Sequence, residues 1–278
     1  MFPSVKQTEV KQKKTKDMKK QLFPVAGLMA LAVVLMSATS CVKTSHSLPL
    51  DEGQRVTESR FLKGFEKIEI VGSPTVYYTQ ADSFSVEVTG PENYIEDILT
   101  EVNGKSLVIR NRGKMGVVNF QLNGSNKISV HVTSPDLIAI SLNGSGDFIS
   151  KQRIDTDNMD ISLRGSGDID IADLICDRCD INLIGSGDID LKRMEAQRIA
   201  ASLIGSGDID LKLNNVLNTL LALKGSGDIS ADFAKGCKKV ECELRGSGDI
   251  SLKGNVEHFS KQKSGSGDIE YHKLTIEK

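Results

Sequence analysis

The sequence contains no tryptophan, only four histidines and no excess of positive charge among its 278 residues. The histidines are scattered over positions 46, 131, 258 and 272, and none lies in a motif typical of a zinc hydrolase. Residues 1–40 hold seven of the 35 basic and two of the 37 acidic residues, which leaves 28 basic and 35 acidic residues, a net charge of −7. This balance speaks against nucleic acid as a partner.

The sequence also lacks an apolar run long enough for a comfortable membrane span. Its longest run, residues 22–36, follows a lysine-rich segment and precedes the small residues Ala38, Thr39 and Ser40. A basic segment, a short apolar core and a small-residue site predict a secretory signal over residues 1–40. Met18 is an alternative start, in which case residues 1–17 are a misassigned extension.

The small residues lead directly into Cys41, a pattern that resembles the lipobox of bacterial lipoproteins. We therefore predict that Cys41 becomes lipidated and anchors the protein in the outer membrane, with residues 41–60 as a linker. The alternative is an ordinary signal peptide or a transmembrane anchor that contains a chance cysteine. Residues 42–44 lack the acidic cluster that resembles a surface-export signal, so a periplasmic and an external orientation both stay open.

The tetrapeptide Gly-Ser-Gly-Asp occurs seven times, and successive copies are 19 to 21 residues apart. The copies begin at Gly144, Gly165, Gly185, Gly205, Gly225, Gly246 and Gly265. A repeat of this length leaves no room for a long helix and cannot bury its apolar face alone. The period therefore predicts a solenoid in which stacked repeats make the core. Because the motif recurs on every turn, a bend in the backbone explains it better than a catalytic site.

Each copy lies within the same apolar pattern. Leucine stands two residues before the first glycine in six copies, and isoleucine or phenylalanine stands four residues after it in all seven. Apolar residues alternate with serine, aspartate, arginine and lysine, which is the period of a half-buried strand. Stacking these columns about 4.8 Å apart predicts an all-β fold, a parallel β-helix.

The two ends of the repeat differ from its middle. A degenerate copy at 124–128 lies twenty residues before Gly144 and predicts an eighth turn, so we place the β-helix over residues 123–278. Residues 61–122 are predicted as a β-rich N-terminal cap with irregular turns, strands near 65–70, 75–78, 84–88 and 106–109, and a short helix within 91–99. Lys261 and Lys263 replace apolar residues in the last copy, which protects an open sheet edge before a final strand over 271–276.

The aspartates of the motif form one predicted column whose neighbours repel by roughly 0.9 kcal/mol each in water. This first aspartate column consists of Asp147, Asp168, Asp188, Asp208, Asp228, Asp249 and Asp268. We expect each carboxylate to accept backbone N–H groups at its own bend. The alternative is calcium, because Asp170, Asp190 and Asp210 stand two residues further on and could face the same side. No cofactor is otherwise predicted.

Four cysteines follow Cys41, namely Cys176, Cys179, Cys237 and Cys242. The two pairs are three turns apart, about 14 Å, which is too far for one zinc ion. We predict buried thiols, and local disulfides stay open because an oxidising envelope would allow them.

The signal, the strand-rich segment and the serial Gly-Ser-Gly-Asp-Ile with its preceding leucine resemble the head GIN domain family of "putative autotransporter adhesins". The resemblance covers about residues 61–272, and its most specific part is 142–269. It implies a right-handed parallel β-helix and supplies no catalytic residues. Cys41 departs from a true autotransporter, which speaks against self-translocation.

The predicted function is that of a non-enzymatic, lipid-anchored envelope protein, an adhesin or scaffold that presents a rigid surface to a glycan or protein ligand. The alternative is a glycan-binding or glycan-processing β-helix, stabilised by calcium if the aspartates bind it. Assembly with further copies through the side faces is a third hypothesis. The repetitive surface does not identify the ligand.

Overall fold

The computed structural model describes residues 54–112 and 128–276, which form an almost entirely β structure. The short helix α1 covers Glu92–Ile95. The strands are β1 (Arg55–Ser59), β2 (Lys67–Gly72), β3 (Thr75–Gln80), β4 (Ser85–Pro91), β5 (Ile98–Asn103), β6 (Ser106–Asn111), β7 (Ser129–Ser134), β8 (Ala139–Gly144), β9 (Asp147–Asp155), β10 (Asn158–Gly165), β11 (Asp168–Gly185), β12 (Ile189–Gly205), β13 (Asp208–Asn214), β14 (Val216–Gly225), β15 (Asp228–Gly246), β16 (Ile250–Gly265) and β17 (Ile269–Ile276).

Successive repeats lie against each other as parallel strands in the register that the motif sets. Before the motif, Leu163 of β10 lies between Leu142 of β8 and Leu183 of β11. The buried column after the motif consists of Phe148, Ile169, Ile189, Ile209, Ile229, Ile250 and Ile269. The described residues therefore form a β-solenoid of about seven turns, which confirms the predicted all-β solenoid. Its handedness stays a prediction.

Both glycines of the motif are required by the close approach of neighbouring turns. A Cβ atom built on Gly205 would lie 2.0 Å from the carbonyl oxygen of Gly185, and one on Gly207 would lie 1.9 Å from that of Gly187. The first glycine also has a positive φ, 142° at Gly205, which other residues rarely adopt. The motif is thus a backbone bend repeated on every turn.

The first turns stack in an order that the sequence does not follow. Strands β2 and β3 pair with β8 and β9, and Gly72 lies opposite Gly144. On their other side, β2 and β3 pair with β6 and β7. The turn beside Gly144 is therefore residues 67–80, where the sequence led us to expect the degenerate copy at 124. That copy and the predicted boundary at 123 lie outside the described residues.

Residues 91–99 contain less helix than predicted. The helix α1 has four residues, and β5 then begins at Ile98 and pairs antiparallel with β6. Ile95 and Ile98 are buried. Their burial explains the helix-like spacing, which a short turn followed by a strand satisfies equally well.

The last turn ends the solenoid as the lysines predict. Lys261 lies opposite Cys242 and Lys263 lies opposite Leu244, and both lysines are exposed. The final strand β17 pairs with β16, and Lys261 stands 4.0 Å above the ring of Tyr271. These cations cover the open end of the apolar core.

Candidate functional site

The first aspartate column is held by hydrogen bonds between turns. In five of its members, Oδ1 accepts the backbone N–H of the aspartate one turn further along. The N···O distances are 3.2, 3.0, 3.0, 2.8 and 2.7 Å for the acceptors Asp168, Asp188, Asp208, Asp228 and Asp249. This corrects the expectation that each carboxylate binds its own bend, because the partner belongs to the next turn.

The two ends of this column have other donors. The Thr75 hydroxyl donates to Asp147 at 2.9 Å, and the Lys263 ammonium group donates to Asp268. Lys263 holds the pKa of Asp268 below its usual value. Every carboxylate of the first aspartate column therefore has a donor, and the column acts as a structural ladder.

A second outward column begins two residues later with Asp170, Asp190 and Asp210, and it continues with Ser230, Ser251 and Glu270. Lys192 donates to both oxygens of Asp170 at 2.7 and 2.8 Å and lies 3.8 Å from Asp190. Among residues 54–112 and 128–276, no three histidine, cysteine, aspartate or glutamate side chains are grouped so that they could hold a metal ion. Lys192 therefore compensates the charges of Asp170 and Asp190, two of the carboxylates for which calcium was the predicted alternative.

The second column forms one wall of a long groove of about 400 Å³. This first wall consists of Asp190, Asp210, Ser230, Ser251 and Glu270. The second wall consists of Lys212, Asp232, Lys253, His272 and Lys273. Buried Leu211, Ala231 and Leu252 lie beneath them. The groove crosses five turns, and on four of them both walls contribute polar side chains.

Charges within the groove are partly paired. Lys253 lies 3.1 Å from Asp232, and Ser251 donates to Glu270 at 3.4 Å. Burial raises the pKa of Asp190 above its usual value, while Lys192 opposes this shift. Within the described part of the chain, Asp210 and Lys212 have no ion pair of 4.0 Å or less with each other or with another side chain. These two side chains are the groove's strongest candidates for contacting a ligand.

The residues of the second wall were not among those predicted from the sequence to form a site. A signal for it was present, because Lys212 and Lys253 each follow directly after a buried leucine, Leu211 and Leu252. The aspartates led us to consider calcium from solution as their counter-ion, whereas lysine side chains of the chain itself lie beside them. His272 enters the groove, whereas His131 stacks on Tyr77 elsewhere with ring centroids 5.0 Å apart.

The four cysteines after Cys41 are buried free thiols, as predicted. A hydrogen bond that the Cys179 thiol donates to Cys176, together with burial, raises the pKa of Cys179 well above its usual value, and burial raises the pKa of Cys242 to about 12. Burial also raises the pKa of Cys237. Thiols held protonated are poor nucleophiles and metal ligands. The predicted lipidation site, Cys41, lies outside the described residues.

A family model described as "Putative auto-transporter adhesin, head GIN domain" matches residues 64–235 and 203–278. The chain belongs to the head GIN domain family. This confirms the predicted resemblance and supports an adhesin-like role in the cell envelope or at the cell surface. No curated protein matches the chain significantly. In the described part of this head GIN protein, no helix is long and apolar enough to cross a membrane.

Three solved structures have the fold of this head GIN protein. A "putative adhesin" from Bacteroides fragilis is 28% identical with a TM-score of 0.70, covering 78% of this chain and 96% of its own. A "putative lipid binding protein" from Parabacteroides distasonis is 25% identical with a TM-score of 0.62, covering 81% and 98%. A "putative adhesin" from the same species is 21% identical with a TM-score of 0.61, covering 78% and 97%, and shows the fold alone.

Proposed function

We propose that this head GIN protein is a non-enzymatic, lipid-anchored adhesin of the outer membrane that binds a linear polar ligand along its groove. The observation that carries the proposal is the groove itself, whose first wall repeats on five successive turns and whose second wall repeats on four of them. Lipidation of Cys41 would attach the chain to the membrane, and residues 41–60 would space the solenoid from it. The groove lies on consecutive paired strands of the solenoid, so we expect it to bind a ligand without rearrangement of the backbone.

A glycan is the ligand class that these walls suit best. Turns repeat about every 4.8 Å, so hydroxyl, carboxylate and ammonium groups recur at short, regular intervals. A polysaccharide presents hydroxyl groups of both donor and acceptor character at regular intervals along its length. The exposed charges of Asp210 and Lys212 lie side by side in the groove and suit such a ligand better than an acyl chain.

Binding of the full chain to cell-wall and host-matrix glycans tests the proposal. We expect retention of at least one glycan without release of product, and a loss of about tenfold in affinity for Lys212→Ala, since hydrogen bonds to charged groups contribute about 1.5 kcal/mol or more. Lys238→Ala, an exposed lysine outside the groove, is the matched control. Equal affinity for both variants would contradict a role for the groove.

One observation favours glycan processing as a second candidate. Asp190 has a pKa raised by burial, and Asp210 lies opposite it on the next turn. Such a pair of carboxyl groups in unequal surroundings is typical of general acid–base catalysis. Release of oligosaccharides from a bound glycan would support this candidate and contradict the adhesin. An unchanged glycan recovered in full would support the adhesin.

A further inference from the structure

A window of uncharged side chains interrupts the outer surface of the sheet formed by the strand segments that precede each motif. This neutral window consists of Asn182, Ile184, Ala200, Ser202, Ile204, Leu220 and Ala222. Ile184, Ile204 and Leu220 are 39%, 43% and 40% exposed. Because 26% of the chain's residues are charged, seven adjacent neutral positions around exposed aliphatic side chains mark a contact surface.

The charges that border the neutral window follow a pattern. On the turn at one end, β10 carries Asp160 on one edge and Arg164 on the other. On the turn at the opposite end, β15 carries Glu241 and Arg245 at the same two edges. Acids therefore stand on one edge and arginines on the other at both ends.

Asp160 and Arg164 have no ion pair within the described parts of the chain. They stand four residues apart on one strand, about 13 Å, so they cannot reach each other. Both side chains are exposed. Each side chain therefore has no counter-ion in the described part of its own chain, and a partner could supply one.

We propose that two copies of this chain dock through their neutral windows about a two-fold axis parallel to the solenoid axis. The axis passes over the central column of Ser162, Ser202 and Ala222, and it exchanges the acidic edge with the arginine edge. Asp160 then faces Arg164 of the partner subunit, and Glu241 faces Arg245 of the partner subunit.

The same rotation brings aliphatic side chains together at the centre of the interface and places Asp180, which is paired with Arg178 of its own chain at 2.6 Å, against Ile184 of the partner subunit. Ala200 faces Ile204 of the partner subunit, and Leu220 faces the aliphatic stem of Lys224 of the partner subunit. Glu243 lies close to the axis, where Arg245 of its own chain stands 3.8 Å away and shields it. The interface is isologous, so one set of contacts serves both copies.

Charge decides between this arrangement and the other face-to-face two-fold. An axis along the strands would instead place Arg164 against Arg245 of the partner subunit and Asp160 against Glu241 of the partner subunit. Like charges at all four corners would repel. With the two-fold axis parallel to the solenoid axis, opposite charges meet at all four corners of the interface.

The size of the surface predicts a weak dimer. Five turns and eight residues span about 24 Å by about 26 Å, or about 600 Å² on each copy. A standard interface covers about 800 Å² on each partner. Parallel copies have their equivalent ends on the same side, so anchoring in one membrane would raise their effective concentration. This last step rests on the proposed lipid anchor, whereas the contacts themselves do not.

Cross-linking on the axis tests the dimer. Ser202→Cys places two thiols opposite each other, and Ser230→Cys, a half-buried serine in the groove, is the matched control. In membranes of cells that produce the full chain, mild oxidation should give a band of twice the monomer mass for Ser202→Cys alone. The same yield for both variants, or none for Ser202→Cys, would overturn the proposal. The result needs no glycan, so it is independent of the groove's function.

Charge exchange in the Ser202→Cys chain tests the corners. Arg164→Asp and Asp160→Arg each create like-charge contacts, and each should lower the cross-linking yield about fivefold. The double variant restores opposite charges and should recover the original yield. Failure of the double variant to recover, with circular dichroism unchanged, would overturn the two-fold arrangement. Cys41→Ala, added to the Ser202→Cys chain, tests the anchor. If it abolishes cross-linking in cells and concentrated protein still cross-links in solution, the result supports the interface and shows that its formation in cells depends on the anchor.

Discussion

At the scale of single residues, the first aspartate column shows how a row of like charges becomes part of the framework. Neighbouring carboxylates on successive turns repel by roughly 0.9 kcal/mol in water. Each hydrogen bond to a charged acceptor contributes about 1.5 kcal/mol or more. The bond from Asp228 N–H to Asp208, at 3.0 Å, is one of five that link the turns in this way. The hydrogen bonds therefore outweigh the repulsion.

Substitution at Asp208 separates the hydrogen bond from the charge. Alanine leaves the Asp228 amide without its acceptor, so Asp208→Ala should lower the free energy of unfolding by about 1 kcal/mol. Asparagine keeps an oxygen at that place and removes one charge, so Asp208→Asn should be neutral or stabilising. Urea denaturation of the full chain measures both changes. An equal loss for the two variants would contradict the ladder.

The aspartates also predict an unusual dependence of stability on pH. Burial raises the pKa of Asp168, opposed by the Asp188 amide, and burial raises the pKa of Asp190. A carboxyl group whose pKa is higher in the folded chain binds more protons there than in the unfolded chain. Such a group increases the free energy of unfolding as the pH falls from above its pKa in the folded chain towards its pKa in the unfolded chain.

We therefore expect the urea midpoint to rise as the pH falls towards the usual range of carboxyl pKa values, before the other carboxylates protonate. Glu195 and Asp268 have lowered pKa values, so their opposite effect belongs to more acidic solution. A chain with Asp168→Asn and Asp190→Asn should show a smaller rise. An identical pH profile for the two chains would disagree with this assignment.

At the scale of the structural element, the bend at Gly-Ser-Gly sets the spacing between turns. Gly207→Ala would place a Cβ atom 1.9 Å from the Gly187 carbonyl oxygen, so the turns must separate and the hydrogen bonds beside them must lengthen. We expect a loss of at least about 2 kcal/mol in unfolding free energy. Gly104→Ala is the control, because its φ of 61° is strained but no atom lies within 4 Å of the new Cβ. Thermal unfolding of both variants should show the larger loss for Gly207→Ala.

Elements outside the repeat were harder to predict from sequence than those within it. The columns of Leu163 and Ile169 could be aligned because each copy repeats them. Where the motif would stand, the chain has Gly72, Ser73 and Pro74 at the junction of β2 and β3, so the repeat did not identify these strands as the turn beside Gly144. The copy at 124 is nearer to Gly144 in sequence and was therefore the expected neighbour. Gly72 lies opposite Gly144 although 72 residues separate them, because the buried side chains of β2 and β8 stack in register.

At the scale of the whole molecule, the repeat period predicts the solenoid but does not predict both walls of its groove. The positions of Asp190 and Asp210 followed from the repeat, so one wall could be anticipated. The opposite wall needed knowledge of which side of each strand segment Lys212 and Lys253 occupy after the chain turns. A repeated motif identifies the residues that form the bend on every turn. A binding site is formed by residues that differ from turn to turn, and the repeat does not identify those.

The Gly-Ser-Gly-Asp motif builds the solenoid, and we propose that ligand binding belongs to the groove beside it. A glycan-binding measurement on two variants of the full chain, Asp208→Ala in the first aspartate column and Asp210→Ala in the groove, tests it most directly. We predict that Asp208→Ala lowers the melting temperature and keeps its affinity, whereas Asp210→Ala keeps its melting temperature and loses affinity about tenfold. Loss of affinity in folded Asp208→Ala, with Asp210→Ala unaffected, would contradict the claim.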